Sequence, residues 1–192
     1  MNNICFVTGN KNKLREVQKL LLSHNLLSLE DLDFSDDIPE TEDTIEGNAF
    51  LKADHIHKKF GVSCFSDDTG LFIESLDGQP GVMSARFAGS NCNSEDNISL
   101  VLEMLSGIEN RKAFFRTVIC LIVNGKVNYF HGEVKGQISK EKAGDKGFGY
   151  DPIFIPDGFD KTFSEFTLDK KNELSHRALA VNKLVNFLNG YE

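Results

Sequence analysis

A polar turn follows the first apolar segment of the chain and leads into an amphipathic helix. It consists of Thr8, Gly9, Asn10, Lys11, Asn12 and Lys13. The free backbone N–H groups and positive dipole end of a helix N-terminus can bind a phosphate, and the Lys13 ammonium adds a point charge. The spacing is not that of a P-loop. Simple capping of the helix by Asn10 or Asn12 is the alternative interpretation.

Lys52 interrupts the apolar face of the helix predicted over residues 44–60. On a helical wheel it falls within the stripe formed by Ile45, Ala49 and Ile56. An ammonium that faces the protein body is costly unless it is paired, so Lys52 could line a polar cleft beside an acid or a phosphate. Alternatively, the stem of Lys52 lies along the surface and its charge reaches water.

Two adjacent carboxylates, Asp67 and Asp68, follow an apolar segment predicted to be a strand over residues 62–65. Before Gly70, such a pair is suited to bind Mg²⁺ or to activate water. An Asx turn that interrupts the strand is the alternative. Glu40, in an acidic loop upstream, is a further carboxylate that could serve the same site.

Glycines flank an aromatic residue in the segment Gly147, Phe148, Gly149, Tyr150 and Asp151. They would let the backbone approach a ligand and leave the rings of Phe148 and Tyr150 uncovered for stacking on a base. Asp151 could then accept a hydrogen bond from a base N–H. The alternative is a ring that anchors the loop.

Basic residues occupy the start of the last predicted helix, which Ser175 could cap. His176 and Arg177 oppose the helix dipole there, and Lys171 lies just upstream. This mismatch makes sense if these side chains donate hydrogen bonds to a carbonyl or an anion; an ordinary surface helix start is the alternative. Together with the other segments, they form a set of groups suited to a nucleotide and its Mg²⁺.

Alternating elements of both types must position these residues. The first half of the chain is predicted to form strand 4–7, a helix with Leu14, Val17 and Leu21 on one face, helix 44–60 ending at Gly61, and strand 62–65. A helix from Ser94 through Leu105 follows, and then strands 114–123 and 126–134, joined by an Asn124-Gly125 turn. The chain ends with a loop over 144–156 that contains a short strand at 153–155, and a last helix with Leu179, Leu184, Val185 and Leu188 on its apolar side. This order predicts a mixed α/β protein with a mixed sheet.

Composition limits the classes of function. The chain has 192 residues, 40% hydrophobic residues and a formal net charge of −8. The length predicts a single domain over residues 1–192. The acidity argues against nucleic acid and anionic membranes as partners. Four cysteines without a C-x-x-C pair, no secretory signal and no membrane-length apolar run predict a reduced, cytoplasmic protein.

Six motifs, taken together and in order, resemble the inosine triphosphate pyrophosphatase family, whose members are also called non-standard purine nucleoside triphosphate pyrophosphatases or dITP/XTP diphosphatases. The motifs are Phe6-Val7-Thr8-Gly9-Asn10 with Lys13 and Glu16, Asn48-Ala49 with Lys52-Ala53, Ser66-Asp67-Asp68-Thr69-Gly70-Leu71, Pro80-Gly81-Val82 with Ser84-Ala85-Arg86, Gly147-Phe148-Gly149-Tyr150-Asp151-Pro152, and Ser175-His176-Arg177. The resemblance covers nearly the whole chain.

The resemblance implies an α/β fold with a long mixed β-sheet and flanking helices that form two lobes around a central cleft. It also implies a homodimer that hydrolyses ITP, dITP and XTP to the monophosphate and pyrophosphate with Mg²⁺. Asp68 would bind the metal and accept a proton from water, Asp67 and Glu40 would be further metal ligands, and Lys52 would stabilise phosphate charge. The substrate-binding residues implied by the match are Thr8, Gly9, Asn10, Lys11, Asn12, Lys13, Thr69, Phe148, Gly149, Tyr150, Asp151, Lys171, His176 and Arg177.

Two other functions remain open at this point. A related enzyme could prefer a modified pyrimidine nucleotide, although the His176-Arg177 pair argues against this. A non-catalytic nucleotide sensor would keep Phe148 and His176 but would not need Lys52 or Asp68, so the presence of these two residues favours catalysis.

Overall fold

The computed structural model describes residues 3–22 and 24–190. Within these ranges the chain forms seven strands and five α-helices in alternating groups. In chain order they are β1 (Asn3–Val7), α1 (Lys11–Gln18), β2 (Asn25–Leu27), α2 (Ile45–Phe60), β3 (Cys64–Ile73), β4 (Pro80–Gly81), α3 (Ser94–Met104), β5 (Lys112–Val123), β6 (Lys126–Ile138), β7 (Phe154–Pro156), α4 (Leu168–Leu174) and α5 (His176–Asn189).

The strands form one mixed sheet with the order β2-β1-β3-β5-β6-β7, and β4 pairs with β3. Strands β2, β1 and β3 are parallel, with Cys5 opposite Cys64 in the β1–β3 register. Strand β4 is antiparallel to β3, and β7 is antiparallel to β6. The predicted mixed α/β class is therefore confirmed.

The chain divides into two compact units. Unit 1 comprises Met1–Asp68, Thr117–Gly132 and Arg177–Glu192, and unit 2 comprises Thr69–Arg116 and Glu133–His176. Strands β3, β5 and β6 each supply residues to both units, so the chain enters each unit more than once. The single domain predicted for residues 1–192 stays a prediction.

Unit 1 packs helices on both faces of its part of the sheet, because neighbouring strand residues point to opposite faces. On one face, Phe6 stacks on Phe65 with ring centroids 4.7 Å apart, and α1 and α5 cover these rings through residues such as Val17 and Leu184. On the other face, α2 covers the three thiols of Cys5, Cys64 and Cys120. Unit 2 has its own core, in which Leu71, Ile98, Phe115, Phe154 and Phe163 are packed together.

Local signals placed several boundaries correctly. Thr44 caps α2 by accepting a hydrogen bond from the backbone N–H of Gly47, and Gly61 ends the helix with a φ of 67°. Asn124 and Gly125 both have positive φ, as expected for a two-residue hairpin turn between β5 and β6. No helix within the described residues combines the length and apolar character needed to cross a bilayer.

The predicted interruption of the third strand is wrong. Strand β3 runs without a break from Cys64 to Ile73 and includes Asp67, Asp68 and Gly70. Gly70 does not make a turn; a Cβ at this position would lie 2.7 Å from the carbonyl oxygen of Gly81, so the glycine permits the close approach of β4.

Two smaller predictions need correction near helix ends. Asn93, rather than Ser94, caps α3. Ser175 ends the unpredicted helix α4 as its C-cap and directly precedes α5, so its predicted place before the last helix stands. Leu179 is 37% exposed, because the buried stripe of α5 is Ala180, Val181, Leu184 and Leu188.

Candidate functional site

Asp67 lies at the centre of a buried ionic cluster in unit 1. Its side chain is 1% exposed. Carboxylate oxygen Oδ1 accepts a hydrogen bond from Lys13 Nζ at 2.9 Å, and Oδ2 accepts one from Arg177 Nε at 2.9 Å. Both oxygens of Asp67 are therefore held by cations, one from α1 and one from α5.

Arg177 extends the cluster to a second carboxylate. Its Nη1 donates to Glu16 Oε2 at 2.5 Å, and the Arg177 and Glu16 side chains are 2% and 4% exposed. Burial alone would lower the pKa of Arg177, but the negative charges of Asp67 and Glu16 outweigh burial and raise it. Arg177 is thus a fixed cation of unit 1. The interpretation that it reads the base stays a prediction.

The ionisation of Asp67 and Lys13 follows from the same contacts. Burial alone would raise the pKa of Asp67, but the charges of Lys13 and Arg177 outweigh it and hold that pKa well below its usual range. Burial lowers the pKa of Lys13, and nearby Lys52 and Arg177 reinforce this effect while Asp67 opposes it. Asp67 is therefore a carboxylate that stays charged.

Lys52 is paired rather than extended towards water. Its Nζ lies 2.5 Å from Glu40 Oε1 and 3.8 Å from Asp68 Oδ1, and it donates to the backbone carbonyl of Asp67 at 2.8 Å. Burial alone would lower the pKa of Lys52, but Asp68 and Glu40 outweigh burial and raise it. The ammonium therefore stays charged, with an acid on either side. The charged cluster, as named below, comprises Lys13, Glu16, Glu40, Lys52, Asp67, Asp68 and Arg177.

Asn48 fixes the segment that carries Glu40. It is fully buried on α2. Its Oδ1 accepts from the backbone N–H of Glu42 at 3.0 Å, and its Nδ2 donates to the Glu42 carbonyl at 3.3 Å. Glu40 is therefore brought to Lys52 by a loop that is pinned two residues later.

The first polar turn forms a helix cap. Asn10 Oδ1 accepts from the backbone N–H groups of Asn12 and Lys13, at 2.9 and 3.2 Å. Thr8 Oγ1 accepts from the N–H of Asn10 at 3.1 Å. The capping interpretation thus describes this structure, while Gly9, Asn10, Lys11 and Asn12 remain exposed at the surface.

In unit 2, Asp151 organises the glycine-flanked loop. Its Oδ2 accepts from the backbone N–H of Phe148 at 2.8 Å and from Lys171 Nζ at 2.6 Å. The side chains of Asp151 and Lys171 are each 4% exposed. Gly147 has a φ of +76°, and a Cβ there would collide with Asp151 Oδ2, so only glycine fits. The loop is therefore closed around this carboxylate.

Two rings of unit 2 assigned to the substrate, Phe148 and His176, lie in different environments. Lys171 Nζ is 4.8 Å from the centroid of the half-buried Phe148 ring. His176 is 3% exposed and stacks on Phe115, with ring centroids 4.5 Å apart. The structure thus groups Phe148, Asp151 and Lys171 by direct contact.

The prediction that Tyr150 presents an uncovered ring is wrong. Tyr150 is 5% exposed and belongs to the core of unit 2, and its hydroxyl donates to the Ser84 carbonyl at 2.8 Å. Burial raises its pKa. The positive φ of Gly149 turns the chain at this point, so Phe148 and Tyr150 lie in different environments.

Nearly the whole chain matches one known protein family. The model of the Ham1 family matches residues 4–187. The chain belongs to the Ham1 family. This confirms the family resemblance drawn from the six motifs.

Individual members of the Ham1 family agree with this assignment. The dITP/XTP pyrophosphatase of Flavobacterium johnsoniae is 50% identical over 186 residues, which cover 96% of this chain and 97% of the relative. The Ham1 protein structure from Staphylococcus aureus has a TM-score of 0.90 and 34% identity, and covers 99% of this chain and 100% of that protein. The Ham1 structure from Coxiella burnetii has a TM-score of 0.90 and 36% identity, covering 99% and 100%.

The carboxylates of this Ham1 family member differ in how well they could bind a metal ion. Within the described part of the chain, no group of three or more His, Cys, Asp or Glu side chains is arranged as a metal site. Glu40 and Asp68 both contact Lys52 and are the two carboxylates that could meet Mg²⁺, which is often bound by one or two carboxylates plus substrate phosphates. Asp67 fits this role poorly, because cations hold both its oxygens.

Sequence reasoning missed the roles of two members of the site. Glu16 was noted within a motif but given no task, although it follows Lys13 by three residues and therefore shares its face of α1. Arg177 was assigned to substrate binding, with an ordinary surface helix start as the alternative, and its buried contacts with Asp67 and Glu16 were not predicted. Its spacing from Ala180, Val181 and Leu184 places it on the buried stripe of α5, which is the signal that had singled out Lys52.

Substitution of Asp67 by Asn should lower the free energy of unfolding at pH 7 by about 3–5 kcal/mol, since it leaves buried cations without their carboxylate. The pKa of Asp67 is lower in the folded protein than in the unfolded chain, so the stabilisation is present above about pH 4 and is lost as the pH falls further. Urea unfolding at pH 7 and between pH 5 and 3 measures both effects.

The control is Asp36→Asn, which removes an exposed partner of Lys59 and should change the unfolding free energy by less than about 0.5 kcal/mol. An Asp67→Asn protein as stable as wild type at pH 7 would contradict the described ionic network.

Proposed function

We propose that this Ham1 family member is a dITP/XTP pyrophosphatase, which hydrolyses ITP, dITP and XTP to the nucleoside monophosphate and pyrophosphate. The observation that carries the proposal is the Lys52 ammonium held between Glu40 and Asp68, in a chain 50% identical to a protein of that name. A cation flanked by two acids is suited to hold phosphate oxygens beside a carboxylate that activates water.

Asp68 is the proton acceptor in this proposal. Water attacks the α-phosphorus, the bond from that phosphorus to the bridging oxygen breaks, and pyrophosphate leaves. The water proton passes to Asp68 and then to solvent. Lys52 stabilises the charge that develops on the phosphate oxygens, and its fixed ionisation suits this task.

Mg²⁺ is the metal we propose, with Glu40 and Asp68 as its protein ligands. When bound, it would neutralise phosphate charge and polarise the reacting phosphoryl group. Formal charge supports the need for a further cation: the charged cluster has three cations against four carboxylates, a net charge of −1, which would repel a triphosphate. Lys13 and the exposed turn that contains Thr8, Gly9, Asn10, Lys11 and Asn12 are the groups we assign to the phosphates.

The unit 2 residues are assigned to the purine. Phe148 would stack on the base, with Gly149 shaping the loop, and Asp151 and Lys171 would supply an acceptor and a donor to its edge. Donors directed at the 6-keto oxygen of hypoxanthine or xanthine would face the 6-amino group of adenine, and such a mismatch can cost several orders of magnitude in rate. Thr69 and His176 stay assigned to the substrate in this proposal.

A homodimer acting in the cytoplasm completes the proposal. The cytoplasmic part is supported by the cysteines, since all four are free thiols, as is usual in a reducing compartment. Light scattering during size-exclusion chromatography tests the assembly, and a single-chain mass at all concentrations would refute it.

A substrate panel tests the proposed function. Pyrophosphate release with Mg²⁺ should be strong for ITP, dITP and XTP and weak for ATP, CTP and UTP, with the monophosphate as co-product. Faster pyrophosphate release from CTP and UTP than from ITP would support a hydrolase but refute the assignment of the unit 2 residues to a purine. Tight nucleotide binding without release would instead support a sensor.

Asp68→Asn should reduce turnover of ITP by at least about 10²-fold while the protein stays folded, because the proton acceptor is lost. Circular dichroism checks the fold, and Asp54→Asn, which removes an acid paired with Lys58 on α2, is the control. Turnover at the wild-type level in Asp68→Asn would rule out Asp68 as the proton acceptor.

Phe148→Ala should weaken binding of a non-hydrolysable inosine triphosphate analogue about 5- to 150-fold, since a base stacked on an aromatic ring contributes about 1–3 kcal/mol. Calorimetric titration measures the affinity. Phe159→Ala, which removes another partly exposed ring of unit 2, is the matched control. Equal affinities of Phe148→Ala and wild type would show that the Phe148 ring packs within the protein and does not stack on the base.

A further inference from the structure

Glu16 is a buried carboxylate that the proposed chemistry does not use. It is 3% exposed and lies on α1, where it is bound to Arg177 at 2.5 Å. Lys13, one helical turn earlier, faces the same cluster and is bound to Asp67 at 2.9 Å. Helix α1 therefore supplies two side chains to the charged cluster, the cation Lys13 and the anion Glu16.

The contacts close into a ring. Glu16 binds Arg177, Arg177 binds Asp67, Asp67 binds Lys13, and the turn of α1 connects Lys13 back to Glu16. The three bonds join residues that are 161, 110 and 54 positions apart. Two cations and two carboxylates balance in formal charge, so every member of the ring has an opposite charge beside it.

The ring connects to the proposed reaction through Asp67. The backbone carbonyl of Asp67 accepts a hydrogen bond from Lys52 Nζ at 2.8 Å, and Asp68 is the next residue along β3. The side-chain contacts of Asp67 thus fix the stretch of backbone that both binds the Lys52 ammonium and carries the Asp68 carboxylate.

Stability is a poor explanation for this ring. A buried ion pair often contributes no more than well-packed apolar side chains of similar volume, because the charges must first be removed from water. The four charged side chains are not needed to hold α1, β3 and α5 together, because these elements already pack through Val17, Phe65 and Leu184. What the ring adds is a fixed direction for each charged group.

We infer that Glu16 is a positioning residue for the hydrolysis, an inference that rests on the proposed function. It acts by holding Arg177, which orients Asp67 and through it Lys52 and Asp68. Arg177 and Lys13 both contact Asp67, so loss of the Glu16 charge changes how strongly Arg177 is drawn to Asp67 and shifts the Asp67 side chain. Displacement of catalytic groups by about 1 Å can reduce a rate by about 10²-fold.

A double-mutant cycle tests the inference. Glu16→Gln, Asp67→Asn and the double variant are compared with wild type for kcat and KM with ITP. We expect Glu16→Gln to lower kcat by about 10- to 100-fold with KM within about threefold, since the groups that contact the base are unchanged. Because Glu16 acts through Asp67, the double variant should be no slower than the slower single variant.

Val17→Ala is the matched control. Val17 is the next residue of α1, is 1% exposed and packs in the core of unit 1, so its truncation destabilises the same helix without removing a charge. We expect its kcat to stay within about twofold of wild type. A loss in Val17→Ala equal to that in Glu16→Gln would overturn the inference in favour of a structural role.

If Glu16→Gln does not fold, Glu16→Asp tests the inference instead. It retains the charge and shortens the side chain by one methylene, so we expect a kcat between those of wild type and Glu16→Gln. A wild-type kcat in the folded Glu16 variants, or losses that multiply in the double variant, would refute the positioning role. Wild-type protein that releases no pyrophosphate from any substrate would instead refute the proposed function, and the inference with it.

Discussion

A carboxylate buried between two cations is the interaction on which the site of this protein depends. Asp67 cannot stay ionised in the interior unless Lys13 and Arg177 hold its two oxygens, and the cations in turn need its charge. The three residues come from different elements, α1, β3 and α5. Each element must therefore be in place before the others can bury their charged side chains.

This constraint separates the tasks of two adjacent residues. Asp67 and Asp68 point to opposite faces of β3, because successive side chains of a strand alternate. Asp67 faces the ring of charges formed with α1 and α5, whereas Asp68 lies near Lys52 of α2. Continuous strand geometry, rather than the turn expected from the sequence, is what gives the two neighbouring acids different partners.

Much of the fold followed from local patterns in the sequence. Apolar periodicity, the Thr44 and Gly61 caps and the Asn124-Gly125 turn placed α2 and the β5–β6 hairpin, because these signals act over a few residues. Lys52 was recognised because it interrupts an apolar stripe. The partners of Glu16 and Arg177 could not be predicted, since 161 residues separate them. Tyr150 was misassigned for the same reason, because its hydroxyl partner Ser84 belongs to a distant segment.

The division of tasks between Asp67 and Asp68 is best tested by metal binding without turnover. Mn²⁺, as a substitute for Mg²⁺, is titrated in the presence of a non-hydrolysable inosine triphosphate analogue and followed by electron paramagnetic resonance in wild type, Asp67→Asn and Asp68→Asn. We expect Asp68→Asn to weaken Mn²⁺ binding at least about 100-fold and Asp67→Asn to weaken it by no more than about tenfold, because Asp67 affects the metal only through the position of Asp68. Loss of Mn²⁺ binding in Asp67→Asn with normal binding in Asp68→Asn would contradict the account.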